Sequence, residues 1–461
     1  MITNTTQLQK IVCNVRTYLA IVLLIIADSM LLAQSRVVGY YPAWLRSTLP
    51  ASRIQFENLT YIVHAFAWPE RNGNIARYSD LLYPELVSQT HTAGKKILIA
   101  LGGWGQSDGF SPMSADTSVR KTCINNIVKF CDDNGYDGVD IDWEYPATLA
   151  DKNNLNLLVG ELHQAFRERG KDWLISIAIP SGDWAGQWFD YNTLQSYVTW
   201  FGCMTYDFMG SWVSIATHNS PLYSHPDNPQ GSVHSAMQYL SDIRKIPKSQ
   251  ILVGIPLYGK GCNATGIFQA NTGGNVEYYY SQIKPKIGNG WNYYWDAISQ
   301  VPYLLNTSAT QFITFDDTVS VRLKCLYARE QGLGGVMLWA LGQDVVGDTQ
   351  PLLETVGRAL ITNTGMGACP SLLPETYSGL QNFPNPFNST TLIRFYLPQE
   401  EHVKLEVYDI LGRTLGIVLN QRKPEGWNTT RFDATGLSTG CYFYKLTGTD
   451  FSKTAKMLVT R

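Results

Sequence analysis

The amino-acid sequence predicts a (β/α)8 barrel with a small α+β insertion between its seventh and eighth strands, followed by a separate all-β sandwich. Three observations lead there. Eight short apolar runs alternate with longer amphipathic stretches between Arg36 and Ala359. The interval between the seventh and eighth runs is too long for a bare connection. Past Ile361 helical spacing stops and period-two alternation takes over.

The 461 residues can build a large core, since 44% are hydrophobic and only 16% charged, with 39 Gly, 13 Trp and 26 Tyr. The chain opens with Lys10 and Arg16, then an apolar run from Tyr18 to Ala33, then "QSR". That order is the layout of a secretory signal over residues 1–34. The run is broken by Asp28 and is shorter than the ~20 residues that span a bilayer.

The eight candidate strands are "VVGYY" from Val37, "LTYIVHAF" from Leu59, "KILIAL" from Lys96, "GVDIDW" from Gly138, "LISIAI" from Leu174, "WFGCMTY" from Trp200, "ILVGIPL" from Ile251 and "LGGVMLW" from Leu333. Several are apolar on both faces, as parallel strands covered by helices must be. Val119 to Asn134 and Asn153 to Arg169 carry helical spacing between them. The barrel is expected over residues 35–360. Its insertion, at about 259–311, holds "TGGNVEYYY" and "NGWNYYWD" and is expected on the rim of the mouth. Residues 361–379 are polar with Gly and Pro and read as a linker. In 380–461, "TTLIRFYL", "HVKLEVYDILGR" and "GCYFYKLTGTDFSKTAKMLVTR" alternate with turn signals, which gives the sandwich.

Charge narrows the partners. Lys plus Arg (36) nearly balances Asp plus Glu (38), and no basic stripe stands out, so a nucleic-acid or anionic-membrane partner is not expected. A neutral carbohydrate stacked by aromatic rings suits this balance better. The eight cysteines include no C-x-x-C, and Cys123 and Cys131 stand too far apart on a helix to pair, at ~12 Å of rise. They read as buried apolar residues.

"YDGVDIDWEYP", Tyr136 to Pro146, places Asp140, Asp142 and Glu144 two residues apart in an otherwise apolar strand. Side chains alternate along a strand, so these acids share one face while Val139, Ile141 and Trp143 take the other. In a barrel the apolar set meets the helices and the acids stack up the interior, with Glu144 nearest the C-terminal mouth. Burying like charges costs several kcal/mol unless they are protonated or hydrogen-bonded. On an exposed antiparallel strand the same pattern would be a solvated face, but the apolar flanks and parallel order argue against that. Three acids can also hold a divalent cation. No completing ligand set is apparent, so neither metal nor cofactor is expected. Repulsion from below should raise the pKa of Glu144 and keep it protonated as a general acid. Asp142 can share a proton with Asp140 at rest.

"DGVDIDWE" resembles the D-x-x-D-x-D-x-E motif of glycoside hydrolase family 18, the chitinases and related endo-N-acetylglucosaminidases. "VVGYYPAW", "ALGGW", "MTYDFMGSW", "GIPLYGK", and "FITFDD" followed by "GLGGVMLWAL" agree in order, so the resemblance covers Val37 to Asp344. It implies that Glu144 protonates the glycosidic oxygen while the substrate's 2-acetamido group attacks the anomeric carbon, with retention. Asp142 would orient the acetamido N–H, with Asp140 beneath it, and Tyr206 would bond the acetamido carbonyl. Asp207 would contact the sugar and Trp339 would floor the cleavage subsite. Trp104 and Trp212 are expected to stack on sugar rings, and Tyr40, Phe66, Met204 and Tyr258 to line the site; Trp44 and Trp295 are further aromatic candidates. Asp137 reads as structural. Two positions depart from the family: Ala100 stands where many relatives have Ser, and Lys260 where Arg often follows "YG". A Lys cannot make Arg's bidentate contact.

The tail resembles the C-terminal sorting domain of proteins exported by the bacterial type IX secretion system, through "LQNFPNPFNSTTLIRFYLP", "LEVYDILGR", "FDATGLSTGCYFYKL" and "KMLVTR". The resemblances imply an exported or cell-surface chitinase, acting as a monomer on β-1,4-linked N-acetylglucosamine chains. An endo-β-N-acetylglucosaminidase, a peptidoglycan-acting glycosidase and a non-catalytic chitin-binding lectin are the other readings. The lectin would be expected to lack Glu144.

Overall fold

The computed structural model describes residues 35–362, apart from 228 and 229, and 380–460, apart from 384, 386, 398, 399, 411, 425 and 449–451. The expected signal and, from residue 363, the expected linker lie outside the described residues. The chain divides into two compact units between Asn363 and Thr364.

In the first unit eight parallel strands close on themselves. They are Arg36–Pro42, Tyr61–Pro69, Lys96–Gly102, Gly138–Asp142, Leu174–Pro180, Trp200–Met204, Ile251–Pro256 and Gly335–Trp339, here barrel strands 1 to 8. Strand 1 pairs with both strand 2 and strand 8, which closes the cylinder. All eight runs expected from the sequence are strands. Ile75–Arg77 adds a short antiparallel strand beside the end of strand 2.

Two layers of apolar packing fix the direction of every strand side chain. Val139 and Ile141 join the large cluster between strands and helices. Val38, Val63, Leu98, Trp200, Leu252 and Met337 form a separate inner cluster. The helices behind are capped where the sequence allows. Asp116 accepts from Ser118 N and Val119 N at the start of Thr117–Asn134, and Thr148 accepts from Asp151 N at the start of Leu149–Glu168. The second helix buries Leu155, Leu158, Val159, Leu162 and Phe166 against the barrel. Gly102 is required where it stands: its φ is +111°, and a Cβ there would sit 2.2 Å from the carbonyl oxygen of Asp142.

Between strands 7 and 8 lies the expected insertion, a five-stranded antiparallel sheet. Its order is Val276–Tyr279, Tyr258–Cys262, Phe312–Thr314, Val301–Asn306 and Trp291–Asp296. A short helix, Tyr280–Ile283, packs beside it. Cys123, Cys131, Cys203, Cys262 and Cys325 are buried free thiols, as the sequence suggested.

The second unit is all-β. Gln381–Phe383, Thr390–Leu397 and Gly426–Asp433 form one sheet; Thr414–Lys423, Glu401–Tyr408, Gly440–Thr447 and Ser452–Val459 form another. Ile393, Phe395, Val403, Leu405, Val407, Tyr444 and Leu446 belong to its own core.

Candidate active site

Barrel strand 4 delivers the acids. Asp140 is fully buried at the axis, and both of its oxygens accept hydroxyls: Oδ1 from Ser176 Oγ at 2.5 Å and Oδ2 from the Tyr40 hydroxyl at 2.8 Å. Asp142 lies one layer up, also buried, and its Oδ1 has no hydrogen-bond partner. Glu144 follows the strand end, half-buried, its backbone N–H donating to Ser107 Oγ at 2.9 Å. Asp137 points elsewhere, accepting from Ile97 N at 2.8 Å and pairing with His91 Nε2 at 2.9 Å, which ties adjoining elements together.

Burial dominates the electrostatics. It pushes Asp140 up to about 6 against the pull of its two hydroxyl bonds. Asp142 is raised well above the carboxylate range by burial and then by the charges of Glu144 and Asp140. Burial lifts Glu144 to about 7; a hydrogen bond from Tyr145 opposes the rise and the charge of Asp207 adds to it. The sequence attributed Glu144's rise to charges beneath it, whereas that repulsion falls chiefly on Asp142. Hydroxyls donate to both Asp140 oxygens, while Asp142 Oδ1 has no hydrogen-bond partner.

Around the mouth, Tyr206 follows strand 6, with its hydroxyl 3.9 Å from Met337 Sδ and its ring edge-on to Tyr258 at 6.1 Å. Met204, half-buried, packs against the inner cluster with Tyr206 and Trp339. Asp207 sits at φ 59°, a left-handed conformation that Asp tolerates, and accepts from Tyr258 OH at 2.5 Å. Lys260 joins it from the insertion: Nζ lies 3.0 Å from Asp207 and 3.4 Å from Glu277, and 5.7 Å from the Trp212 ring centre. A point charge thus bridges two carboxylates where Arg would have offered a planar fork. Below this segment Lys324 Nζ is buried against Asp316 Oδ2 and Ser220 Oγ, each at 2.7 Å, and Ser220 donates to the carbonyl oxygen of Thr205.

The aromatic candidates separate into two sets. Trp104 is 81% exposed and Trp212 is 64% exposed, at the mouth where stacking partners were expected. Trp339 ends strand 8 and stacks on Phe66 at 5.6 Å. Tyr40, Phe66 and Tyr258, expected to line the site, are buried. Tyr40 lies under the acids, Phe66 backs Trp339, and Tyr258 braces Asp207. Trp44 is partly open against Phe66, and Trp295 is half-buried on the insertion's edge strand. Sequence reasoning missed Trp184, 65% exposed just past strand 5 and edge-on to Tyr145 at 4.9 Å. Its position past a strand end was the available signal. Ser176 was missed as well, although it is the one polar side chain in "LISIAIP".

Residues 36–344 match the profile of Glycosyl hydrolases family 18, and residues 381–460 that of the Secretion system C-terminal sorting domain. Chitinase A1 of Niallia circulans is 31% identical over 283 residues, 54% of this chain and 40% of that protein. A probable endochitinase of Caenorhabditis elegans is 30% identical over 349 residues, 65% of this chain and 55% of that protein. The chain thus spans about half the length of these relatives. Among solved structures, a glycoside hydrolase family 18 N-acetylglucosaminidase from Paenibacillus barengoltzii is 27% identical. It superposes with a TM-score of 0.64, covering 71% of this chain and 100% of that one. The chain belongs to glycosyl hydrolase family 18.

Proposed function

We propose that this chain is an exported chitinase that hydrolyses β-1,4 linkages between N-acetylglucosamine units with retention. The observation that carries the reading is the acid column. Two carboxyls are sealed under the mouth, and one, Glu144, stands partly open at its floor with its carboxyl lifted to about 7. A carboxyl so placed is protonated through much of the neutral range and can deliver a proton to a leaving oxygen.

In the first step Glu144 gives its proton to the glycosidic oxygen as the substrate's acetamido oxygen closes on the anomeric carbon. The C–O bond to the leaving sugar breaks and a cyclic oxazolinium forms. Asp142 faces its N–H and stabilises the positive charge, with Asp140 beneath; Tyr206 donates to the acetamido oxygen. In the second step the Glu144 carboxylate takes a proton from water, which opens the ring from the face the leaving group vacated. Both inversions together leave a β product. Trp339 floors the cleavage subsite, Met204 and Asp207 line it, and the open rings of Trp104 and Trp212 extend it along the sugar chain.

We further propose that residues 1–34 carry the chain across the inner membrane and 380–461 deliver it through type IX machinery to the cell surface or beyond. Residues 35–360 would form the catalytic domain, 361–379 a linker, and the enzyme would act as a monomer. The match of 381–460 to a sorting domain supports this. Removing Leu380 to Arg461 should strand the enzyme in the periplasm, and unchanged secretion overturns the sorting role.

For the chemistry, chitin oligomers, an N-glycoprotein and peptidoglycan are each incubated with the protein and with Glu144→Gln, and fresh products are followed by NMR. Initial β anomers from chitin oligomers, lost in the variant, are expected. Initial α products, or equal activity in the variant, overturn the mechanism. Preferential cleavage of the glycoprotein or peptidoglycan moves the substrate to the other readings.

A further inference from the structure

The turn that follows barrel strand 6 is held from behind by a run of buried polar residues, Thr217, His218, Asn219 and Ser220. Apolar side chains would supply bulk there at lower cost, since a buried polar group is unfavourable unless it is bonded. Asn219 ties the insertion to the turn. Its N–H donates to Thr314 Oγ1 at 3.0 Å, on the insertion strand Phe312–Thr314, and its carbonyl oxygen accepts from Phe208 N at 3.1 Å. Its side-chain Oδ1 accepts from Asp207 N at 3.2 Å. Ser220 donates to the Thr205 carbonyl, so the run grips the chain on both sides of Tyr206.

Asp207 stands at φ 59°, which a non-glycine residue keeps only where its surroundings fix it. The Asn219 amide supplies that hold at a cost: its Nδ2 is buried with no hydrogen-bond partner among the described residues. An amide with one end used and the other stranded is kept for the end that is used. We propose that Asn219 is a positioning residue of the active site: by accepting the Asp207 N–H it fixes the left-handed turn that sets the Asp207 carboxylate against Tyr258 and Lys260 at the mouth. This rests on the reading of Glu144 as general acid and of Asp207 as a contact of the sugar. From its place the Asp207 charge helps raise Glu144, so an Asp207 that turned away would let Glu144 ionise at lower pH. The titratable or charged groups that face Glu144 are Asp142, Tyr145, Tyr206 and Asp207, with Tyr258, Lys260 and Glu277 around Asp207.

The test is the pH profile of kcat/KM on a chitin oligomer for five chains: parent, Asn219→Ala, Asn219→Asp, Asp207→Asn and Asn219→Ala with Asp207→Asn. Asn219→Ala removes the acceptor, so its kcat/KM should fall about 10- to 100-fold and its alkaline limb should move to lower pH. Asn219→Asp keeps an acceptor oxygen in place and should stay within about 5-fold of the parent, with no downward move of the limb. In the Asp207→Asn chain, Asn219→Ala should cost less than about 2-fold, because a residue that acts through Asp207 has nothing left to act through. Equal losses in both backgrounds, or a limb that stays in place while thermal stability falls, would make Asn219 a structural residue and overturn the inference. So would an Asn219→Asp chain as impaired as Asn219→Ala. Asn219→Leu, which has the same branching and no acceptor, takes the place of Asn219→Ala if that chain does not fold; failure of both to fold also overturns it. A parent chain that fails to cleave the oligomer, a Glu144→Gln chain that cleaves it equally well, or an Asp207→Asn chain identical to the parent instead overturns the underlying reading.

Discussion

Among the carboxylates that the barrel buries, two groups are treated in opposite ways. Asp316 has Lys324 against one oxygen and Ser320 Oγ against the other, so its charge is matched and its lone pairs are used. Asp140, Asp142 and Glu144 are stacked with no lysine or arginine paired to them among the described residues; hydroxyls serve Asp140 and Glu144, and Asp142 Oδ1 has no hydrogen-bond partner. Matched charge locks the segment that carries Tyr206 and Asp207. Unmatched charge holds carboxyl groups far from their ordinary pKa values, which costs stability and supplies a proton donor.

The largest effect that would break this contrast concerns Glu144. Glu144→Gln should lower kcat/KM on chitin oligomers about 10²- to 10⁴-fold, measured by reducing-end release; a loss of only a few-fold would make the column a structural curiosity. Next comes the matched pair. Lys324→Met strands Asp316 in the interior and should cost about 3–5 kcal/mol in urea unfolding, whereas adding Asp316→Leu should recover most of it. If the single variant is as stable as the parent, the pair does not lock its segment.

The contrast also explains what could be read without coordinates. Eight apolar runs gave eight strands, because a strand apolar on both faces has few other homes. The acids were legible because alternation is a property of the chain itself. What Tyr40, Phe66 and Tyr258 touch was not legible. Whether such a ring faces a sugar or braces a neighbour depends on strands that arrive from elsewhere in the chain. Tyr40 meets Asp140 across 100 residues, and Tyr258 meets Asp207 across 51. Ser176 and Lys324 became meaningful only once register and closure brought their partners beside them.

Two smaller predictions sharpen the picture. Glu144 must be protonated to act, so the rate should fall as pH rises through about 7. Asp207 raises that value, so Asp207→Asn should shift the alkaline limb to lower pH, and an unshifted limb would remove Asp207 from the field at Glu144. The smallest effect belongs to the open rings. Trp104→Ala should raise KM for long oligomers about 2- to 10-fold, and less for short ones; equal changes at every length would place its ring off the substrate path.

The most direct measurement compares the stability of the parent barrel and Glu144→Gln across pH, alongside activity. A carboxyl held above its ordinary value in the folded state keeps a proton that the unfolded chain releases. Stability is therefore lost as pH rises from the unfolded value toward about 7. At about pH 8 the variant should be more stable than the parent, by on the order of 1–3 kcal/mol, with the difference gone near pH 4. Its hydrolysis should be lost throughout. A variant less stable than the parent at both pH values, or one that still cleaves chitin oligomers, would contradict a column held for chemistry at the expense of stability.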